Sequence, residues 1–242
     1  MASHDSVQYQ QQDGIAVITL DDGKRNALPP AVLKGIYGAF RQAERDKATV
    51  ILTGREGVFS AGYDLKVMKR GGVDTLRMLR AGYSLTARIM ESPYPVITAC
   101  NGHVFAMGVF MMLSTDYIIG SEGPFQIAAN EVALGLTMPR VACTVMQQRL
   151  TPAAYQRTVV LSEHFTPDAA MTAGFFDELV PPDQLLARAR TLAAQFGKLD
   201  MRAHADTKRR IRASQIGSIR RQVPLDLVDA VKLGLRGAKP KR

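Results

Sequence analysis

Short apolar runs rich in β-branched residues recur along the chain: IAVITL (residues 15–20), ATVILTG (48–54), PVITACNG (95–102) and YIIGS (117–121), with helical patterns between them. A run of this length suits a buried strand, because branched side chains pack well on a pleated surface and are stiff in a helix. Alternation of such strands with helices restricts the chain to the α/β class. VQYQQ (7–11) precedes the first run, and Gln12-Asp13-Gly14 supplies the turn of a hairpin. AVLKGIYGAFRQAERD (31–46) sets Val32, Leu33, Ile36 and Phe40 on one helical face, with Pro29-Pro30 suited to the first turn. Residues 75–91 read as another helix, broken before Pro93 and Pro95. From Pro182 the pattern turns helical: QLLARARTLAAQF (184–196) is amphipathic, and no strand pattern follows as far as Leu235. The expected architecture is a mixed α/β core over residues 1–190 and a helical region over 191–242.

Composition narrows the function. Apolar residues make up 46% of the 242 and charged residues 22%, ordinary values for a globular protein. No uninterrupted apolar run reaches about 18 residues, so no membrane span is expected. The N-terminus MASHDSVQYQQQDG is polar and lacks the apolar core of a secretory signal, which points to a cytoplasmic protein. Cys100 and Cys143 sit in apolar surroundings, suiting reduced thiols. The four His residues are scattered and none pairs with a Cys at ligand spacing, so no metal site is expected. The net charge of +9 owes much to KRRIRASQIGSIRRQ (208–222) and KPKR (239–242). A solvated helix face and a site for a multiply phosphorylated small molecule both accommodate it. Nucleic acid binding is not expected, because no recognised motif or aromatic platform accompanies the charge.

Two segments have the makings of a site. FSAGYDL (59–65) places Ser60, Ala61 and Gly62 after an apolar strand, where small residues let a ligand approach the backbone. NGHVFAMGVFMMLSTD (101–116) runs from a strand through a loop with Ala106 and Gly108 into an apolar helix starting near Met107. Taken alone, the first segment reads as a plain turn and the second as a core helix. As a pair, each can aim one N–H at the same oxygen, and two convergent donors make an oxyanion hole.

NALPP (26–30), FSAGYDL, YPVITACNGHVFAMG (94–108), NEVALGLTMP (130–139) and AMTAGFFDELV (170–180) stand in order across most of the chain. Together they resemble the crotonase superfamily of enoyl-CoA hydratases and isomerases. The resemblance implies a spiral of ββα units with a C-terminal helical region, assembled as a homotrimer or a dimer of trimers. It implies an acyl-CoA substrate, with coenzyme A present only as part of the thioester and no permanently bound cofactor. The thioester oxygen would then rest on the main-chain N–H groups of Tyr63 and Met107, places where many relatives carry Ala or Gly. Lys24, Arg25, Asn26, Ala27 and Leu28 match the loop that contacts adenine and pantetheine; Ala61, Asp64, Leu65, Gly108 and Phe110 complete the implied binding set.

The hydratase pattern places one Glu three residues after the second oxyanion residue and another just before a Leu-Gly pair. Here the first position is Phe110 and the second is Glu131. Hydration needs water at one carbon and a proton at the next, and losing one acid–base partner typically costs ~10²–10⁴-fold. A single carboxylate suffices to move a proton from C2 to C4 of an enoyl thioester. The resemblance therefore favours a double-bond isomerase with Glu131 as proton carrier. A hydratase with reduced or altered chemistry, a decarboxylase or thioesterase, and a non-catalytic acyl-CoA binder remain the alternatives. Asp116 is expected to make a structural hydrogen bond, and Thr166 to cap a helix opening at Pro167.

Overall fold

The computed structural model describes residues 6–237. β1 (Val7–Gln12) and β2 (Ile15–Leu20) form the expected hairpin, its turn carrying positive φ at both Asp13 (51°) and Gly14 (76°). Mirror-image turns of this kind match the twist of the flanking strands. A two-residue strand β3 (Ala27–Leu28) leads into helix α1 (Pro30–Arg45). Next come β4 (Thr49–Thr53), β5 (Gly57–Ser60), β6 (Gly62–Tyr63) and the helices α2 (Leu65–Arg70) and α3 (Gly72–Met90). β7 (Val96–Cys100), β8 (Gly102–Phe105) and α4 (Met107–Leu113) repeat this order, as do β9 (Tyr117–Ser121) and β10 (Ile127–Ala128). The chain continues through α5 (Arg140–Gln147), α6 (Pro152–Leu161), α7 (Pro167–Ala173), strand β11 (Glu178–Val180), α8 (Leu185–Phe196) and α9 (Met201–Gly237).

The large sheet runs β1-β2-β4-β7-β9-β11, parallel except for the hairpin. Its central strands are buried on both faces, which is why they read as continuous apolar runs. Ile18, Val50 and Leu52 point into the main core with α1 and α3. Val17, Ile51, Ile97 and Ile119 meet Leu185, Ala189 and Leu192 of α8 on the other face. A smaller parallel sheet, β10-β8-β5, lies beyond the strand ends. The chain passes from the large sheet to the small one at Gly54 and again at Gly102. A Cβ on Gly54 would stand 2.6 Å from Phe59 Cα, and one on Gly102 would overlap Gly57. Asn101 ties these corners together, donating to the carbonyls of Gly54 (2.8 Å) and Arg55 (2.7 Å). The strand–strand–helix repeat thus winds as a spiral.

Three local features differ from the pattern-based expectation. FSAGYDL is two short strands and a helix start, with Asp64 capping α2 through Lys66 N (2.7 Å) and Val67 N (3.4 Å). Helix α4 stops at Leu113 because the Ser114 and Thr115 hydroxyls bond back to the carbonyls of Phe110 (2.7 Å) and Met112 (2.8 Å). Residues 72–74 extend α3 upstream of Thr75, and Gly71 at φ +67° marks the break from α2.

Asp116 makes the structural bond foreseen for it, accepting from Val96 N at 2.8 Å. It also meets Lys208 (2.6 Å) and Arg212 (2.8 Å) of α9. Two cations of the basic helix are therefore internal, and burial pushes Lys208 down to about 8 despite its carboxylate partner. Thr166 caps α7, with Pro167 at its first position. Among the described residues no helix is long and apolar enough to cross a membrane.

Candidate functional site

The small sheet assembles the site through its register. Ser60 of β5 and Ile127 of β10 both pair with Val104 of β8, all strands running the same way. Tyr63 lies three residues beyond Ser60, Met107 three beyond Val104, and Glu131 four beyond Ile127. One sheet edge therefore delivers all three residues, at the carboxyl ends of parallel strands where α/β proteins characteristically hold ligands.

Two close approaches fix the main chain there. Gly62 has φ +82°, and a Cβ on it would stand 2.9 Å from both Ala106 Cβ and the Phe105 carbonyl and 3.2 Å from Met107 N. A Cβ on Gly108 would stand 2.8 Å from Ser60 Cβ. The β6 segment and the first turn of α4 are thus in van der Waals contact, as convergent amides require. Ala106 turns the chain at φ +49°, its N–H donating to the Ala128 carbonyl at 2.9 Å. Met107 is the first residue of α4, where an N–H has no partner one turn earlier in its own helix.

Asn26 locks the neighbouring loop. Its side-chain amide is buried and donates to the carbonyls of Leu20 (2.7 Å), Val58 (3.2 Å) and Phe59 (3.2 Å). Ser60 Oγ donates to the Asn26 carbonyl (2.8 Å), Ala61 N to that of Arg25 (2.9 Å), and β3 pairs with β6. Lys24 and Arg25 are exposed on this loop, Ala27 and Ala61 are half-buried, and Leu28 is in the core. Leu65 is exposed at the start of α2, and the Asp64 carboxylate is engaged as that helix's cap. Gly108 and Phe110 are buried in α4, with Phe110 one turn after Met107 and only 1% exposed.

Glu131 follows β10 and opens a turn of 3-10 helix. Its carbonyl accepts from Leu134 N (3.0 Å) and Leu136 N (2.9 Å), and Ser162 Oγ accepts from Ala133 N at 3.1 Å. The side chain is 7% exposed, and Oε2 is buried with no hydrogen-bond partner among the described residues. Burial pushes this carboxyl from 4.5 up to about 7, opposed only by a backbone hydrogen bond of its own residue. A buried carboxyl near neutrality with one oxygen unpartnered exchanges protons in both directions, the property an acid–base shuttle needs. Burial also raises the phenols of Tyr63 and Tyr83, with smaller contributions from neighbouring groups, Asp226 and Glu131 among them. Sequence reasoning missed the clamping roles of Asn26 and Ser60 and the small sheet itself. Strands of two to four residues carry no readable period, though the positive-φ Asn26 between Gly23 and a Pro pair was a turn signal.

Residues 10–223 match the model of the Enoyl-CoA hydratase/isomerase family. The enoyl-CoA delta isomerase 1, mitochondrial, of Rattus norvegicus is 30% identical over 91% of this chain and 78% of its own length. The carnitinyl-CoA dehydratase of Salmonella typhi is 28% identical over 79% of this chain and 74% of its own. The crystal structure of an enoyl-CoA hydratase/isomerase family protein from Pseudomonas syringae superposes with a TM-score of 0.90, at 40% identity over 92% of this chain and 97% of the other.

Proposed function

The chain belongs to the enoyl-CoA hydratase/isomerase family, and from that premise we propose that it moves the double bond of an enoyl-CoA thioester with Glu131 as its single proton carrier. The observation that carries this reading is Glu131 itself, a buried carboxyl with an unpartnered oxygen on the segment that leaves β10. In a 3-enoyl thioester the Glu131 carboxylate takes a proton from C2. The electron pair moves onto the thioester oxygen, which rests on the N–H groups of Tyr63 and Met107. The enolate then collapses and collects the proton at C4, leaving a 2-enoyl thioester. Removing one oxyanion donor in comparable sites costs ~10²–10³ in rate.

Phe110 supports isomerisation over hydration. It fills the position of the second acid with an apolar ring, so no second carboxyl activates a water there. Lys24 and Arg25, exposed on the loop that Asn26 clamps, are suited to the phosphates of coenzyme A. No permanently bound cofactor enters this chemistry.

The test is conversion of 3-hexenoyl-CoA to 2-hexenoyl-CoA by wild type and Glu131→Gln. The substitution is expected to remove turnover by at least ~10²-fold while thioester binding changes little. Undiminished turnover in the variant refutes the assignment. Accumulation of 3-hydroxyacyl-CoA by wild type, faster than isomerisation, would favour a hydratase, a reading that the dehydratase relative keeps in view.

A further inference from the structure

Tyr63 does more than contribute a main-chain amide. Its ring crosses from β6 to α3, where the hydroxyl donates to the Leu79 carbonyl at 3.2 Å. It is seated on Gly82 so closely that a Cβ there would stand 2.7 and 2.8 Å from ring carbons Cε1 and Cζ. Tyr83 meets it edge-on, with ring centroids 6.1 Å apart and planes at 82°. The Tyr63 phenol is therefore held on three sides: the α3 backbone behind it, a hydrogen bond at its tip and a second ring beside it. An aromatic side chain with only two torsions has little freedom to swing out of such a seat.

We infer that the Tyr63–Tyr83 pair is a fixed stop in the acyl pocket, so that this protein selects thioesters of short acyl chains and excludes long ones. The inference rests on the acyl-CoA reading above. A thioester held at C1 by the amides of Tyr63 and Met107, with C2 to C4 against Glu131, leads its next carbons past the Tyr63 ring, because that ring grows from the very residue holding C1. Helix α3, which carries Tyr83, packs against α4, the helix that Met107 opens. An open apolar channel would reward each added methylene with roughly fourfold tighter binding, and a locked ring pair ends that reward early.

The test uses saturated acyl-CoAs from butanoyl to dodecanoyl, titrated calorimetrically into the purified protein, so that no turnover is needed. In wild type, affinity is expected to level off or fall beyond about six carbons. Tyr63→Ala, which keeps the main-chain donor, and Tyr83→Ala are each expected to raise the dodecanoyl-to-hexanoyl affinity ratio by about tenfold or more. Tyr63→Phe, which loses only the tie to Leu79, should move the ratio the same way by less, and covers the case in which an alanine variant fails to fold. Wild-type affinity that keeps climbing to dodecanoyl-CoA, or a ratio unmoved in folded variants, overturns the inference. Absence of binding at every chain length instead refutes the acyl-CoA reading beneath it.

Discussion

Replacing Glu131 by Gln is expected to stabilise the protein, and by more as pH rises. In the folded state burial holds the carboxyl at about 7 in place of 4.5. At 1.36 kcal/mol per pH unit, that difference corresponds to about 3 kcal/mol. Between those two pH values the folded protein keeps a proton that the unfolded chain has released. Stability from this group is therefore full below 4.5, falls as pH rises to about 7 and is constant above. Gln is neutral throughout and near in shape, so the variant escapes the fall. Urea denaturation at fixed protein concentration should show the variant within about 1 kcal/mol of wild type near pH 5 and about 3 kcal/mol more stable at pH 8. For a domain of this size, that gap is roughly 6–12 °C in Tm. A stability difference independent of pH, or a variant less stable than wild type at pH 8, would show that Glu131 is not held neutral by burial. The same titration should appear in catalysis, with turnover rising as pH passes through about 7 because the base must be ionised.

Other perturbations test the scaffold. Gly62→Ala puts a Cβ at φ +82° and 2.9 Å from Ala106 Cβ and the Phe105 carbonyl, so a loss of about 1–3 kcal/mol by denaturation is expected, together with a fall in kcat as the two amide-bearing segments part. Asp116→Asn strips Lys208 and Arg212 of their counter-charge at a buried site and should cost about 3–5 kcal/mol. Asp116 holds the buried Lys208 amine up at about 8, so without it the amine falls below that value, and part of the deficit should vanish as pH rises toward 8 and the variant gives up a proton that wild type still keeps; a deficit that does not change with pH would contradict the burial of Lys208.

The apolar runs at 15–20, 48–54, 95–102 and 117–121 announced the central strands because burial on both sheet faces leaves no polar position to blur the pattern. Pro29-Pro30 and the spacing of Val32, Leu33, Ile36 and Phe40 likewise placed α1, since a helix writes its period into consecutive residues. Family resemblance singled out Glu131, Tyr63 and Met107 as chemical identities at recognisable spacings. What brings them to one edge is the pairing of Ser60 and Ile127 with Val104, strands too short to carry a period and dependent on partners tens of residues away. The proton affinity of Glu131 is also tertiary, because desolvation is supplied by whatever packs around the carboxyl. The seat of Tyr63 on Gly82 and the capture of Asp116 by α9 belong to the same class. Local pattern sets which elements form; only contact between distant elements sets the fields and distances in which their side chains act.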